Sequence, residues 1–386
     1  MAITNVLDFE LSLEQKEFIE KALNGNNILV DACIGSGKTT AIQQLCNDFS
    51  DDKKILYLTY NRLLKIDAQN KIKSKNTFVT NYHGFAKTVL QKENINCGVS
   101  DLISTFNRIK PSIEKYDILI IDEYQDIEKE LADMLMHIKK ENNGIQIIAV
   151  GDMMQKIYDR STLNISSFIR DFLEKYICLS FTKCFRLPSV FANKLGKAWK
   201  KKIEGVNDQC IVEKMSIEDA KIFLVNQQPQ DLLCLGQRIG TLSDTLNYLE
   251  QNYPEKFNKK TVFASIRDDE GNSLKPNKNV AIFTTFDSSK GMERPICVVF
   301  DFTEKYWNSR IKNSQISQEI LRNIFCVAAS RGKRHIIFVD SGEKILQIDS
   351  FDFKREEEFS FKDVDMSEMF QFKYNEDVET CYSLLE

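Results

Sequence analysis

The chain has 386 residues, more than one hydrophobic core usually organises, so two domains of ordinary size are expected. Its 42% apolar and 28% charged residues are those of a soluble globular protein, and the longest apolar runs, Ile118–Ile121 and Ile296–Phe300, are too short to cross a bilayer. Residues 347–386 hold twelve acidic against four basic side chains; of the net charge of −4, this tail carries −8 and residues 1–346 carry +4. A mildly basic body permits phosphate binding without requiring it. Ten cysteines are scattered without a CxxC pair, so no zinc or iron–sulfur site is signalled. Cys234, Cys297 and Cys326 lie in apolar runs and read as small core residues. Met1 to Asn5 lacks the basic start and apolar run of a secretory leader, and the expected location is a reducing cytoplasm, with no membrane partner.

In chain order, Leu11-Ser-Leu-Glu14-Gln15 precedes the first strand-like run, Asn27–Ala32. That run leads into Ala32-Cys-Ile-Gly35-Ser36-Gly37-Lys38-Thr39, a P-loop pattern with Ala32 at the place of the first glycine. Gly35 and Gly37 let backbone N–H groups turn toward phosphate oxygens, and the following helix adds its positive end. Lys38 supplies a point charge for the β- and γ-phosphates of a nucleoside triphosphate, and the Thr39 hydroxyl is placed for Mg²⁺. Ile55–Tyr60 is the next strand. Ile118–Asp122 follows, an apolar run delivering Asp122 and Glu123 to the strand end where ligands bind in open α/β sheets. Asp122 suits Mg²⁺, and Glu123 suits the base that orients an attacking water. Alone, Asp-Glu after an apolar run is a solvated strand end; after a P-loop it indicates nucleotide hydrolysis. Ile145–Val150, Leu232–Leu235, Val280–Thr285, Ile296–Asp301 and His335–Val339 complete the strands.

Apolar strands alternating with helical patterns indicate an α/β fold with mostly parallel sheets. The strands fall into two groups with a hinge expected within Tyr176–Pro188. The expected division is a first lobe at 1–178 with a small insert at 86–117, a second lobe at 179–345 with a small insert at 239–279, and a tail at 346–386. In the tail the rhythm stops, and Phe351-Asp-Phe353, Phe359-Ser-Phe361 and Phe370-Gln-Phe372 stand among acids. Three readings fit it: a packed hairpin, an acidic strip that occupies a basic groove and restrains activity, and a docking strip for a protein such as a nuclease or loader.

From about Leu11 to Val339 the order of motifs resembles the UvrD/Rep-like superfamily 1 helicases. Leu11 to Gln15 is similar to the family's adenine-reading motif, with Gln15 at the base edge. Leu58-Thr-Tyr60-Asn61-Arg62 and Asn81-Tyr82-His83-Gly84-Phe85 resemble motifs lining the single-strand groove. Asp122-Glu123-Tyr-Gln125-Asp126 has the family's form, and Gly151-Asp152-Met-Met-Gln155-Lys-Ile157-Tyr158 resembles the motif that links the γ-phosphate, through Gln155, to the nucleic-acid path. Cys184-Phe185-Arg186 is similar to an adenine-stacking aromatic followed by a phosphate-sensing arginine. Thr285-Phe-Asp287-Ser-Ser-Lys290-Gly291-Met292-Glu293 resembles the segment in which Glu293 binds the ribose. Arg322 through Val327-Ala-Ala-Ser330-Arg331 resembles the closing motif, with Arg331 as arginine finger.

The resemblance implies two RecA-like lobes with the nucleotide cleft between them, whose closure is coupled to hydrolysis, and a motor moving 3′ to 5′ on single-stranded DNA. The residues leave RNA open. Read singly, Tyr60, Phe85 and Tyr158 are equally ordinary core aromatics, His83 a satisfied histidine, and Arg186 and Arg331 surface charges; their joint order carries the resemblance. The chain also departs from the family. Thr40 stands where relatives carry an adenine-stacking arginine, Asp287 replaces a histidine, and Asp159-Arg160-Ser161 replaces an aromatic-bearing segment. The inserts are small, so weak unwinding by the isolated chain is expected. A second reading is an ATP-switched, nucleic-acid-binding regulatory subunit that hydrolyses slowly.

Overall fold

The computed structural model describes residues 10–60, 62–157, 163–267, 277–313 and 318–343. They form two compact units that part between Thr182 and Lys183. The acidic tail, Asn61, Tyr158 and Asp159 to Ser161 lie outside the described residues.

The first unit is built on strands β1 (Ile28–Ala32), β2 (Ile55–Thr59), β3 (Thr77–Asn81), β4 (Ile118–Asp122), β5 (Gln146–Gly151) and β6 (Ile177–Phe181). They form one parallel sheet in the order β3-β2-β4-β5-β1-β6. Side chains alternate between its faces, and both faces are buried. Ile28, Val30, Ile55, Tyr57, Ile118, Ile120, Ile148 and Val150 enter one core, and Leu29, Leu56, Leu58, Leu119, Ile121, Ile147 and Ala149 enter the other. Helix α1 (Leu13–Leu23) starts from a capping box in which Ser12 and Gln15 satisfy each other's backbone N–H groups, and it covers the first core beside α2 (Lys38–Asp48).

The expected insert at 86–117 is part of this unit rather than a separate module. Ala86, Val89, Leu90, Leu102, Ile103, Phe106 and Ile113 join the second core. The lobe boundary expected at 178 cuts through β6, which pairs with β1 from Ile28↔Ile177 to Ala32↔Phe181 and so belongs with the first sheet.

In the second unit β7 (Lys183–Cys184) and β8 (Glu204–Gly205) form a short ribbon. The main sheet comprises β9 (Ile211–Ser216), β10 (Leu232–Gly236), β11 (Val262–Ala264), β12 (Ala281–Thr285), β13 (Arg294–Val299) and β14 (Gly332–Asp340). It is again parallel, in the order β11-β12-β10-β13-β14-β9. The segment expected as a second insert supplies the covering helix Thr241–Asn252 and strand β11, so among the described residues it too is built into its sheet. Each unit is a RecA-like α/β lobe.

One loop of the second unit is closed by its own carboxylate. Asp301, two residues beyond β13, accepts from the backbone N–H groups of Gln237 (3.1 Å), Thr241 (2.9 Å) and Leu242 (3.3 Å). Its backbone is left-handed, φ 53°. A Cβ on Gly236 or Gly240 would stand 2.8 Å or 3.0 Å from this carboxylate, so the two glycines make room for it.

Candidate active site

The site of the first unit lies at the C-terminal edge of its sheet, the edge at which parallel strands present loops and helix N-termini. After β1 the chain is pinned by Cys33, whose N–H donates to Phe181 O at 2.8 Å. It then turns through Gly35 (φ 68°) and Gly37 (φ 75°), left-handed conformations that a Cβ would disfavour. Gly37 caps α2 without a side-chain hydrogen bond, so the first-turn N–H groups face the loop. Lys38 opens the helix and is almost buried; Thr39 and Thr40 follow, half-buried. Ser36 is buried, and its hydroxyl has no hydrogen-bond partner among the described residues.

Gln15 braces this loop. Its Oε1 accepts from Ser12 N at 2.9 Å, and its Nε2 donates to Ser36 O at 3.0 Å. Both ends of the amide are engaged by the chain itself, and these contacts hold the P-loop in place.

Asp122 ends β4 and is buried. Its Oδ2 accepts from the Tyr57 hydroxyl at 2.9 Å; its Oδ1 has no hydrogen-bond partner among the described residues. Burial first, then the neighbouring Glu123 charge, push this carboxyl up to about 7, against the pull of Lys38 and the Tyr57 hydrogen bond. A buried carboxylate with one oxygen left over is costly unless a cation meets it. With the Thr39 hydroxyl at the loop, the donor set is the hard oxygen chemistry that Mg²⁺ takes.

Glu123 leaves the strand in a left-handed backbone, φ 57°. Its Oε2 accepts from Gln125 Nε2, and Gln125 Oε1 in turn accepts from the backbone N–H of Asp152 at 2.9 Å. Asp152 Oδ2 accepts from Gln155 Nε2 at 2.8 Å. A polar chain thus runs from Glu123 through Gln125 and Asp152 to Gln155. Gly151 makes it possible, since a Cβ there would lie 2.5 Å from Gln125 Oε1 and 2.6 Å from the Tyr124 ring. Sequence reasoning gives roles to the ends of this relay but none to its middle, Gln125 and Asp152, which it names only within motifs, and it does not single out Tyr57.

Of the residues expected along a nucleic-acid path, Tyr60 is half-buried at the end of β2, and His83 is exposed on helix Tyr82–Lys92, which follows β3. Phe85 is a correction. It is 1% exposed, and its ring packs on Phe78, Phe106 and Tyr116, so it fills the core and has no face for a strand. Burying it stabilises the unit by about 1.5–3 kcal/mol. Asn61 and Tyr158 lie outside the described residues.

In the second unit, Arg186 and Glu293 meet in an ion pair, and Lys333 pairs with the other oxygen of the same carboxylate. Arg186 also donates to Ser330 O at 3.2 Å. Partial burial raises the Glu293 carboxyl, but Arg186 and Lys333 outweigh it and hold the group down at about 2. Arg331 is buried, its Nε donating to Val327 O at 2.7 Å. Phe185 is 43% exposed, and Gly291 turns with φ 74°. Asp287, expected to touch nucleic acid, is instead held by both guanidinium nitrogens of Arg310 at 2.8 and 2.9 Å, with Arg310 over the Tyr306 ring. Its carboxylate is thus paired with an arginine of its own unit.

Residues 15–160, within the first unit, match the protein-family profile AAA_19, described as "AAA domain". No curated protein sequence matches the chain. Similar solved structures are helicases. Arterivirus nonstructural protein 10 (helicase) is 11% identical with TM-score 0.44, covering 83% of this chain and 61% of its own. The same protein in complex with DNA gives 11% and 0.45, covering 86% and 65%. The DUF1998 helicase MrfA bound to DNA gives 13% and 0.48, covering 91% and 51%. The chain therefore spans between about half and two thirds of the length of these proteins. Among the described residues no helix is long and apolar enough to cross a membrane.

Proposed function

We propose that this chain is an ATP-driven nucleic-acid motor, a superfamily 1 translocase or helicase on single-stranded DNA that moves 3′ to 5′ and unwinds weakly on its own. The observation that carries the reading is the buried, half-satisfied Asp122 beside the relay from Glu123 to Gln155, at the mouth of the P-loop. A structural strand end would not bury a carboxylate with an oxygen to spare.

In this reading the loop N–H groups and Lys38 hold the triphosphate of ATP, and Thr39 and Asp122 hold Mg²⁺. The cation, when bound, neutralises charge on the phosphate oxygens. Glu123 accepts a proton from the attacking water, and the hydrogen bond from Gln125 helps to orient its carboxylate. Gln155 sits at the far end of the same relay, so a change at the phosphate is passed to the residues that follow β5. Arg186 and Arg331 supply positive charge that answers to the γ-phosphate, Phe185 stacks on adenine and Glu293 takes the ribose. Thr40, lacking a guanidinium, leaves base selection loose. Tyr60 and His83 are the proposed strand contacts.

The steady-state ATPase rate with no nucleic acid, single-stranded DNA, duplex DNA and RNA tests this. Stimulation by single-stranded DNA is expected; equal, slow rates under all four conditions would overturn it. The second reading, a regulatory subunit with slow hydrolysis, has one observation in its favour: Arg186 is already neutralised by Glu293.

A further inference from the structure

We propose that Tyr57 is a positioning residue for the metal-binding carboxylate, a buried hydroxyl that orients Asp122 toward Mg²⁺. The inference rests on the reading of Asp122 as a Mg²⁺ ligand and deepens it. Strands β2 and β4 are neighbours, and Tyr57 pairs with Ile120. Asp122 lies two residues further along the same face, so a tyrosine ring leaning along the strand reaches it. The hydroxyl arrives 2.9 Å from Oδ2.

The ring itself has no freedom. Tyr57 is fully buried in the core behind α2, among Ala41, Ile42, Leu45 and Cys46. Packing at interior density fixes its direction, so the hydroxyl is a fixed donor rather than a mobile one. An apolar residue would fill this strand position as well as its neighbours Ile55 and Leu56 do. A tyrosine here buries a polar group in a wholly apolar cluster, and the compensating partner is the Asp122 carboxylate. The consequence falls on the other oxygen. With Oδ2 taken by Tyr57, carboxylate rotation is restrained, and Oδ1, which has no partner among the described residues, is the one left for a cation. Partners of this kind behind a metal ligand typically change metal affinity by about 10- to 100-fold.

The test is binding of a fluorescent ATP analogue to the full chain, titrated with Mg²⁺ from a chelated start, for wild type, Tyr57→Phe and Asp122→Asn. In Tyr57→Phe the Mg²⁺ concentration for half-maximal enhancement should rise about 10-fold, while metal-free nucleotide affinity stays within about 2-fold. Asp122→Asn should lose the Mg²⁺ enhancement. Should Tyr57→Phe prove insoluble, Tyr57→Met carries the same loss of the hydroxyl in a more adaptable side chain. If Tyr57→Phe follows the wild-type curve while Asp122→Asn does not, the positioning role is overturned and the metal site stands. Equal weakening with and without Mg²⁺ would make Tyr57 a packing residue only. An unchanged Asp122→Asn curve would remove the metal reading, and this inference with it.

Discussion

Two loops, one in each unit, begin alike and end differently. After β1 and after β10 a buried parallel strand gives way to a glycine-containing turn and then a helix. Both turns offer backbone N–H groups, which favour an anion. In the second unit the chain provides the anion itself, for the Asp301 carboxylate takes three of these donors. In the first unit no side chain caps Gly37, and the nearby carboxylate, Asp122, is turned toward Tyr57. The same local geometry is a closed structural joint in one place and a receptive cradle in the other. The closing carboxylate lies far away in sequence, two residues beyond the neighbouring strand β13.

Breaking the cradle should have the largest effects. Glu123→Gln is expected to lower kcat by about 10²- to 10⁴-fold with nucleotide binding kept, measured by single-turnover hydrolysis beside equilibrium binding. Lys38→Ala should lower kcat by about 10²- to 10³-fold and weaken nucleotide binding as well. Breaking the joint should cost stability instead of activity. Asp301→Asn turns an amide toward three N–H donors and should lose about 1–3 kcal/mol in denaturant unfolding, with nucleotide affinity of the first unit unchanged. The two carboxylates also differ in what pH does to them. Asp122 is pushed up to about 7 by burial and then by Glu123, so the metal-free folded state keeps a proton that the unfolded chain releases in the ordinary carboxylate range. Its contribution to stability therefore falls as pH rises from about 4 through 7. Asp122→Asn should melt above wild type at pH 8 in chelator, with the gap closing as pH falls toward 4. The smallest effect sharpens the contrast from the other side. Arg238, in the Asp301-closed loop, donates to Ile266 O and Arg267 O, and Arg238→Ala should leave nucleotide affinity within about 2-fold.

Which strands could be read from sequence follows from their place in the sheets. β1, β2, β4, β5, β10, β12, β13 and β14 are interior, and burial on both faces makes them continuous apolar runs. Of the twelve strands in the two main sheets, the four absent from the sequence reading, β3, β6, β9 and β11, are the four edges. An edge strand is wetter and can carry Lys, Glu, Ser and Thr, as β9 does in Ile211–Ser216. These edges account for the rest: β6 falls within the expected hinge, and β11 within the expected second insert. At the site, residues carried by local motifs, Gly35 to Thr39, Asp122 and Glu123, could be placed from sequence. Tyr57 and Asp301 could not, because each acts on a residue of another element. Phe85 shows the converse, a motif position that packing claims for the core.

The left-handed backbone at Glu123 sets two kinds of selection against each other. A side chain other than glycine in that conformation costs roughly 1–2 kcal/mol. A library of variants screened only for heat resistance should therefore enrich Glu123→Gly, since glycine adopts the conformation without penalty. The survivors would be hardier proteins that have lost the carboxylate proposed as the general base. Gains in heat resistance that keep the proposed base would have to come from elsewhere in the chain.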